Sequence, residues 1–191
     1  MGWIQTYRGK RFDPLTPDTN LVSIIDIAHA LSNIPRLGGH AKPFYSVAQH
    51  SILVAEIVPE FGLQALLHDA TEAYLLDIPS PIKHSHEFLA YRRAEEKLHR
   101  EIMWHFGLSA LLPDEVRAAD RLALKLEANW HMSPMDPELA EELALLPGTM
   151  TAYGMFRTPL GPREAETRFL TTFHDYWKDH AASLPNPEMV P

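Results

Sequence analysis

The stretch Phe61-Gly62-Leu63-Gln64-Ala65-Leu66-Leu67-His68-Asp69-Ala70-Thr71-Glu72-Ala73-Tyr74-Leu75-Leu76 sets Leu63, Leu66, Leu67, Ala70 and Ala73 at intervals of three and four. That is the period of a helix with one buried stripe, so a helix is expected over 61–76, stopped before Pro79. Asp69 falls three residues after Leu66 and four before Ala73, with His68 beside it, which places an acid in or along the apolar row. An ionised carboxylate without a partner is costly to bury, so an inward acid calls for a cation or a metal.

Outward from this stretch the chain repeats the same period. Helices are expected over about 23–33, 46–58, 87–106, 114–129, 137–146 and 162–179, several bounded by proline or glycine. Asp114 is read as the N-cap of the helix it opens. No useful length alternates as a strand does. The expected fold is all-α, a single helical bundle of six or seven helices over 23–182, with an irregular arm over 1–22 and a fraying tail over 183–191. Trp3 and Phe12 are expected to pack the arm on the body. Pro79 and Pro81 should keep the 77–83 segment out of regular helix.

Two more polar residues stand in apolar rows. His50 lies between Val47 and Val54, and Asp120 between Val116 and Leu124. Each alone has a plainer reading, a hydrogen-bonded core histidine or an aspartate paired with Arg117 or Arg121. Together, two histidines and two acids on three inward stripes suit a divalent ion: Mn²⁺, Co²⁺, Ni²⁺ or Fe²⁺, with Zn²⁺ and Mg²⁺ also allowed. Glu72, four residues after His68 and three after Asp69, is expected on the same helical side, placed to orient a water or exchange its proton.

Composition narrows the function. With 17 Lys and Arg against 25 Asp and Glu, the net charge of −8 opposes indiscriminate binding to DNA or RNA polymers. Cysteine is absent, which excludes disulfides, a thiolate nucleophile and cysteine zinc sites. No apolar run approaches the roughly 18 residues of a membrane span, and Met1-Gly2-Trp3-Ile4-Gln5 lacks signal-peptide order, so no membrane partner and a cytoplasmic location are expected.

The ordered set His50, His68-Asp69, Asp120 resembles the signature of the HD-domain phosphohydrolases. Within that superfamily, Gln49-His50-Ser51, His68-Asp69-Ala70-Thr71-Glu72, Asp77-Ile78-Pro79-Ser80-Pro81-Ile82-Lys83 and Val116-Arg117-Ala118-Ala119-Asp120-Arg121-Leu122 are similar to bacterial 5′-deoxynucleotidases and phage deoxynucleotide triphosphohydrolases. The likeness spans roughly 26–129. It implies that His50, His68, Asp69 and Asp120 ligate the metal, that Asp77 serves the leaving group or shares a proton with Glu72, and that Arg36 contacts phosphate. Leu37 stands where many of those enzymes carry tryptophan. By charge and position, His40, Lys42 and Lys83 are further substrate-binding candidates. The implied activity is hydrolysis of small nucleotides, releasing phosphate from a monophosphate or, as an alternative, triphosphate from a dNTP. A non-catalytic nucleotide-binding module is the reading from another class. Relatives of this type imply a homo-oligomer.

Overall fold

The computed structural model describes residues 2–133 and 137–184, and most of them lie in ten α-helices. In chain order these are α1 (Ile24–Asn33), α2 (Val47–Ile57), α3 (Gly62–Leu66), α4 (Glu72–Leu75), α5 (Ser80–Lys83), α6 (Leu89–His105), α7 (Asp114–His131), α8 (Pro137–Glu142), α9 (Thr149–Ala152) and α10 (Pro162–Ser183). Among the described residues the only sheet is a two-stranded hairpin, β1 (Ile4–Gln5) against β2 (Arg11–Phe12). The fold is all-α.

Helix α2 is the axis of the bundle. The Ser46 hydroxyl caps its first turn by accepting the Gln49 N–H at 3.2 Å. Every residue from Val47 to Ala55 is buried, as befits a helix enclosed by others. The enclosing helices are α1, α3, α7 and α10, with α1 also packed on α10 and α4. His50 therefore sits inside the bundle, with no exposed surface.

The structure departs from the sequence-based expectations in five places. Asp114 is not the N-cap but the first residue of α7; Pro113 holds the cap position, with no side-chain cap bond. The arm contains a hairpin, turned at Gly9, that plugs a fully buried Phe12 into the core, while Trp3 lies under the Arg11 guanidinium, 4.9 Å from its ring centre. The helix expected over 61–76 is broken: α3 ends at Leu66, and 67–71 form tight turns before α4. The break has a local cause. His68 donates its Nδ1–H to the Ala65 carbonyl at 2.7 Å, satisfying an acceptor near the helix end with a side chain. The proline segment forms the short helix α5, because Pro81 falls in its first turn, where no intrahelical N–H is required. The region after 129 is likewise divided, with α7 running to His131, α8 ending at Glu142, α9 added, and α10 continuing to Ser183. Of the expected tail, 185–191 lie outside the described residues.

Candidate metal centre

Three segments bring four side chains to one point. His50 comes from α2, His68 and Asp69 from the turn after α3, and Asp120 from α7. His68 Nε2 lies 3.2 Å from Asp69 Oδ2, and His50 Nε2 lies 3.6 Å from the same oxygen. Asp120 Oδ1 stands 3.1 Å from His50 Nε2 and 3.9 Å from His68 Nε2. One potential ligand atom each from His50, His68 and Asp69 fits within 4.8 Å of the others.

The donor geometry fits a divalent cation. Both imidazoles are tied through Nδ1: His50 to Glu127 Oε1 at 2.7 Å and His68 to the Ala65 carbonyl at 2.7 Å. In the neutral rings those acceptors fix the proton on Nδ1 and leave Nε2 as a lone pair. Both Nε2 atoms are buried without a hydrogen bond, and each faces carboxylate oxygens. Lone pairs and carboxylates that face one another repel unless positive charge lies between them. Around an ion with bonds of about 2.0–2.1 Å, neighbouring ligand atoms are about 3.0–3.4 Å apart, close to the separations here. Imidazole in the set favours a first-row transition ion over Mg²⁺.

The proton can also supply that charge. Burial and the Arg36 guanidinium oppose protonation of His50, but Glu127 and Asp120 outweigh them and push its pKa up to about 9. Burial likewise opposes a charge on His68, and Asp69 overcomes it, raising that pKa too. Asp69 and Asp120 are held below the usual carboxylate range, burial being outweighed by the histidines. A metal ion bound at this group would therefore have to displace the His50 proton. Apparent Mn²⁺ affinity is expected to climb as pH rises from 6 towards about 9 and then level off, with proton release on binding. Calorimetric titration in buffers of different ionisation enthalpy checks this. An affinity flat with pH would remove the histidines from the binding step.

Sequence reasoning missed Glu127. It is fully buried on α7 and accepts from His50 through Oε1 and from Arg36 Nε at 3.3 Å through Oε2. Its signal was available, since it follows Asp120 by seven residues, two turns along the same helical face. Arg36 Nη2 also lies 3.7 Å from Asp120 Oδ1, so Glu127 and Asp120 hold the guanidinium at the edge of the centre.

The centre opens into a cleft of about 670 Å³. Arg36, Leu37, His40, Asp77 and Lys83 line it together with Asp69, Glu72 and Asp120. His84, Arg121 and Leu124, not assigned to substrate binding from the sequence, line it as well. Lys42 is a correction: it is absent from the lining, and its backbone N–H is bonded to the His131 carbonyl at 2.9 Å, which holds the end of that loop against α7. Leu37, Gly38 and Gly39 all have positive φ (58°, 59° and 78°), which explains the glycine pair and marks Leu37 as strained. The helical spacing argued for Glu72 does not apply across the broken helix, yet Glu72 reaches the cleft. It is 3% exposed, and its Oε2 has no hydrogen-bond partner. Burial, then the Asp69 and Asp77 charges, push its pKa up to about 9. Burial raises Asp77 as well.

No helix among the described residues is long and apolar enough to cross a membrane. No family model matches the chain. The uncharacterized protein YfdR of Escherichia coli K12 is 39% identical over 179 residues, covering 92% of this chain and 96% of YfdR. An uncharacterized protein of Rhodobacter capsulatus is 32% identical over 186 residues, covering 90% of this chain and 94% of its own. With identity of this order over nearly the whole of both chains, the protein belongs to the family of YfdR.

Proposed function

We propose that the protein is a metal-dependent phosphohydrolase of the HD-domain type that releases phosphate from small 5′-nucleotides. The observation that carries this reading is the meeting of His50, His68, Asp69 and Asp120 around two buried, unbonded Nε2 atoms, with Asp69 and Asp120 lining a cleft. A divalent ion held there would lower the pKa of a water and polarise the phosphoryl group. The protein supplies the rest. Arg36, clamped by Glu127 and Asp120, presents a guanidinium to phosphate oxygens. Glu72, which burial and the Asp69 and Asp77 charges keep protonated at neutral pH, orients the attacking water or exchanges its proton, and Asp77, which also lines the cleft, holds a proton for the leaving oxygen. Leu37, Ile78 and Leu124 offer apolar surface to the nucleoside.

The cation inventory favours a monophosphate. Arg36, Lys83 and Arg121 line the cleft and Lys42 does not; Arg36 already shares its charge with Glu127 and Asp120, and Lys83 with Glu95 at 2.6 Å, so the net positive charge suits one phosphate group better than a chain of three.

Metal analysis of the purified protein, followed by a nucleotide panel with Mn²⁺ or Co²⁺ scored for phosphate against triphosphate, tests the proposal. Released triphosphate would replace the monophosphate reading by the triphosphohydrolase one. In the same assay Glu72→Ala is expected to lose roughly 10²–10⁴-fold in kcat while keeping metal and nucleotide binding. An unchanged rate would remove Glu72 from the chemistry and leave a binding module as the better reading.

A further inference from the structure

The lip of the cleft that carries Asp77 and Lys83 contributes nothing to the core. No residue from Leu76 to His86 is buried, so no apolar anchor fastens it to the core. It leaves α4 through Leu76, which is 61% exposed and has φ 69° and ψ 158°. That region of backbone space is essentially restricted to glycine, and a side chain persists there only where its surroundings enforce it.

The enforcing groups stand on the N-terminal half of α6, whose buried residues Leu98, Ile102 and Met103 lie further along. Tyr91 donates its hydroxyl to the Leu76 carbonyl at 2.9 Å. Arg92 Nη1 donates to the carbonyls of Lys83 at 2.7 Å and Ser85 at 2.9 Å, closing the far end of α5. Glu95 Oε1 accepts from Lys83 Nζ at 2.6 Å. The start of the lip, its end and its one lysine are thus each held from the same helix. Three of these four bonds carry charge, which makes them the stronger kind.

We propose that Tyr91, Arg92 and Glu95 are positioning residues that hold the strained 76–85 lip in place, setting Asp77 for proton transfer and Lys83 for phosphate. The proposal rests on the phosphohydrolase reading. It explains why a leucine is kept in a costly conformation between the two acids of the site, since the turn at Leu76 directs the chain from Glu72 to Asp77 along the cleft wall.

The test uses the full chain loaded with manganese and compares the parent with Tyr91→Phe, Arg92→Ala, Arg92→Lys, Glu95→Gln and Leu76→Gly. Five quantities are read: hydrogen exchange over 76–85, affinity for inorganic phosphate, kcat and KM on a 5′-nucleotide, and Tm. Arg92→Ala and Tyr91→Phe are expected to speed exchange in 76–85 but not in 47–57, and to lower kcat about tenfold or more through misplacement of Asp77. Arg92→Ala and Glu95→Gln should weaken phosphate binding as Lys83 loses its seat. Arg92→Lys should recover part of each loss. Leu76→Gly relieves the strain, so it should keep or raise Tm while lowering kcat, a combination that a merely structural role does not give. Exchange unchanged in Arg92→Ala, or faster exchange with phosphate affinity and kcat both intact, overturns the proposal. If the parent turns over no nucleotide, the phosphohydrolase reading fails by itself, and exchange with phosphate affinity still decide whether α6 positions the lip.

Discussion

Replacing Asp69 with alanine is expected to remove the bound divalent ion and the turnover together. Asp69 Oδ2 is the oxygen shared by both histidines, 3.2 Å from His68 Nε2 and 3.6 Å from His50 Nε2, and its carboxylate is held ionised by them. Without it two imidazoles and a half-exposed Asp120 remain. Metal affinity should fall by more than the roughly 10–100-fold that outer-shell partners carry, because a direct ligand and a unit of negative charge leave at once. Rate should drop on the order of 10³-fold, since several kcal/mol of transition-state charge stabilisation depend on the ion. Chelation gives an independent readout. It should lower the Tm of the parent, whose folded form binds the ion, and leave Asp69→Ala unmoved. Metal content, phosphate release and melting curves with and without chelator check all three. A variant retaining one ion per chain and the parental rate would remove the centre from the function.

What could be read along the chain, and what could not, follows from which interactions are local. The 3.6 period of α1, α2, α6, α7 and α10 is visible because each buries one face or, for α2, nearly all of itself, and burial selects apolar residues at fixed intervals. His50 and Asp120 were legible as polar breaks in such rows. The fracture after Leu66 was not, since the apolar spacing continues unbroken through it. The deciding event there is one side-chain bond, His68 to Ala65, that no periodicity records. Leu76 is hidden in the same way, because nothing in a leucine announces a glycine-like backbone held by Tyr91 fifteen residues on. Lys42 was chosen for charge and proximity to Arg36. The loop's glycines turn it so that only Arg36, Leu37, Gly38 and His40 reach the cleft. Glu127 was missed for a different reason. Its role depends on contacts with α2 and with the loop after α1, 77 and 91 residues away in the chain.

Glu127 should also be the residue whose loss most destabilises the fold. It is fully buried and occupied on both oxygens, by His50 Nδ1–H and by the Arg36 guanidinium, itself only 13% exposed. Glu127→Ala strands a buried cation and a buried ring N–H, the situation in which breaking an ion pair costs about 3–5 kcal/mol. For a chain of this size that is a fall in Tm of roughly 10 °C or more. The pH dependence has a definite sign. Burial raises the Glu127 pKa, but His50 and Arg36 outweigh it, so the folded value lies below the unfolded one. The stabilisation is therefore present at neutral pH, begins to fade as pH falls past the unfolded glutamate value of about 4.3, and is lost as pH passes through the folded value. Melting curves from pH 7 to pH 3 should show the gap between parent and variant closing on the acid side. Glu127→Gln keeps the shape and one acceptor, so it should fold, melt between the two, and bind manganese about 10–100-fold more weakly, because the His50 ring loses its charged anchor. Equal melting of all three proteins at pH 7, with equal manganese affinity, would mean that Glu127 neither supports the core nor orients the metal ligand.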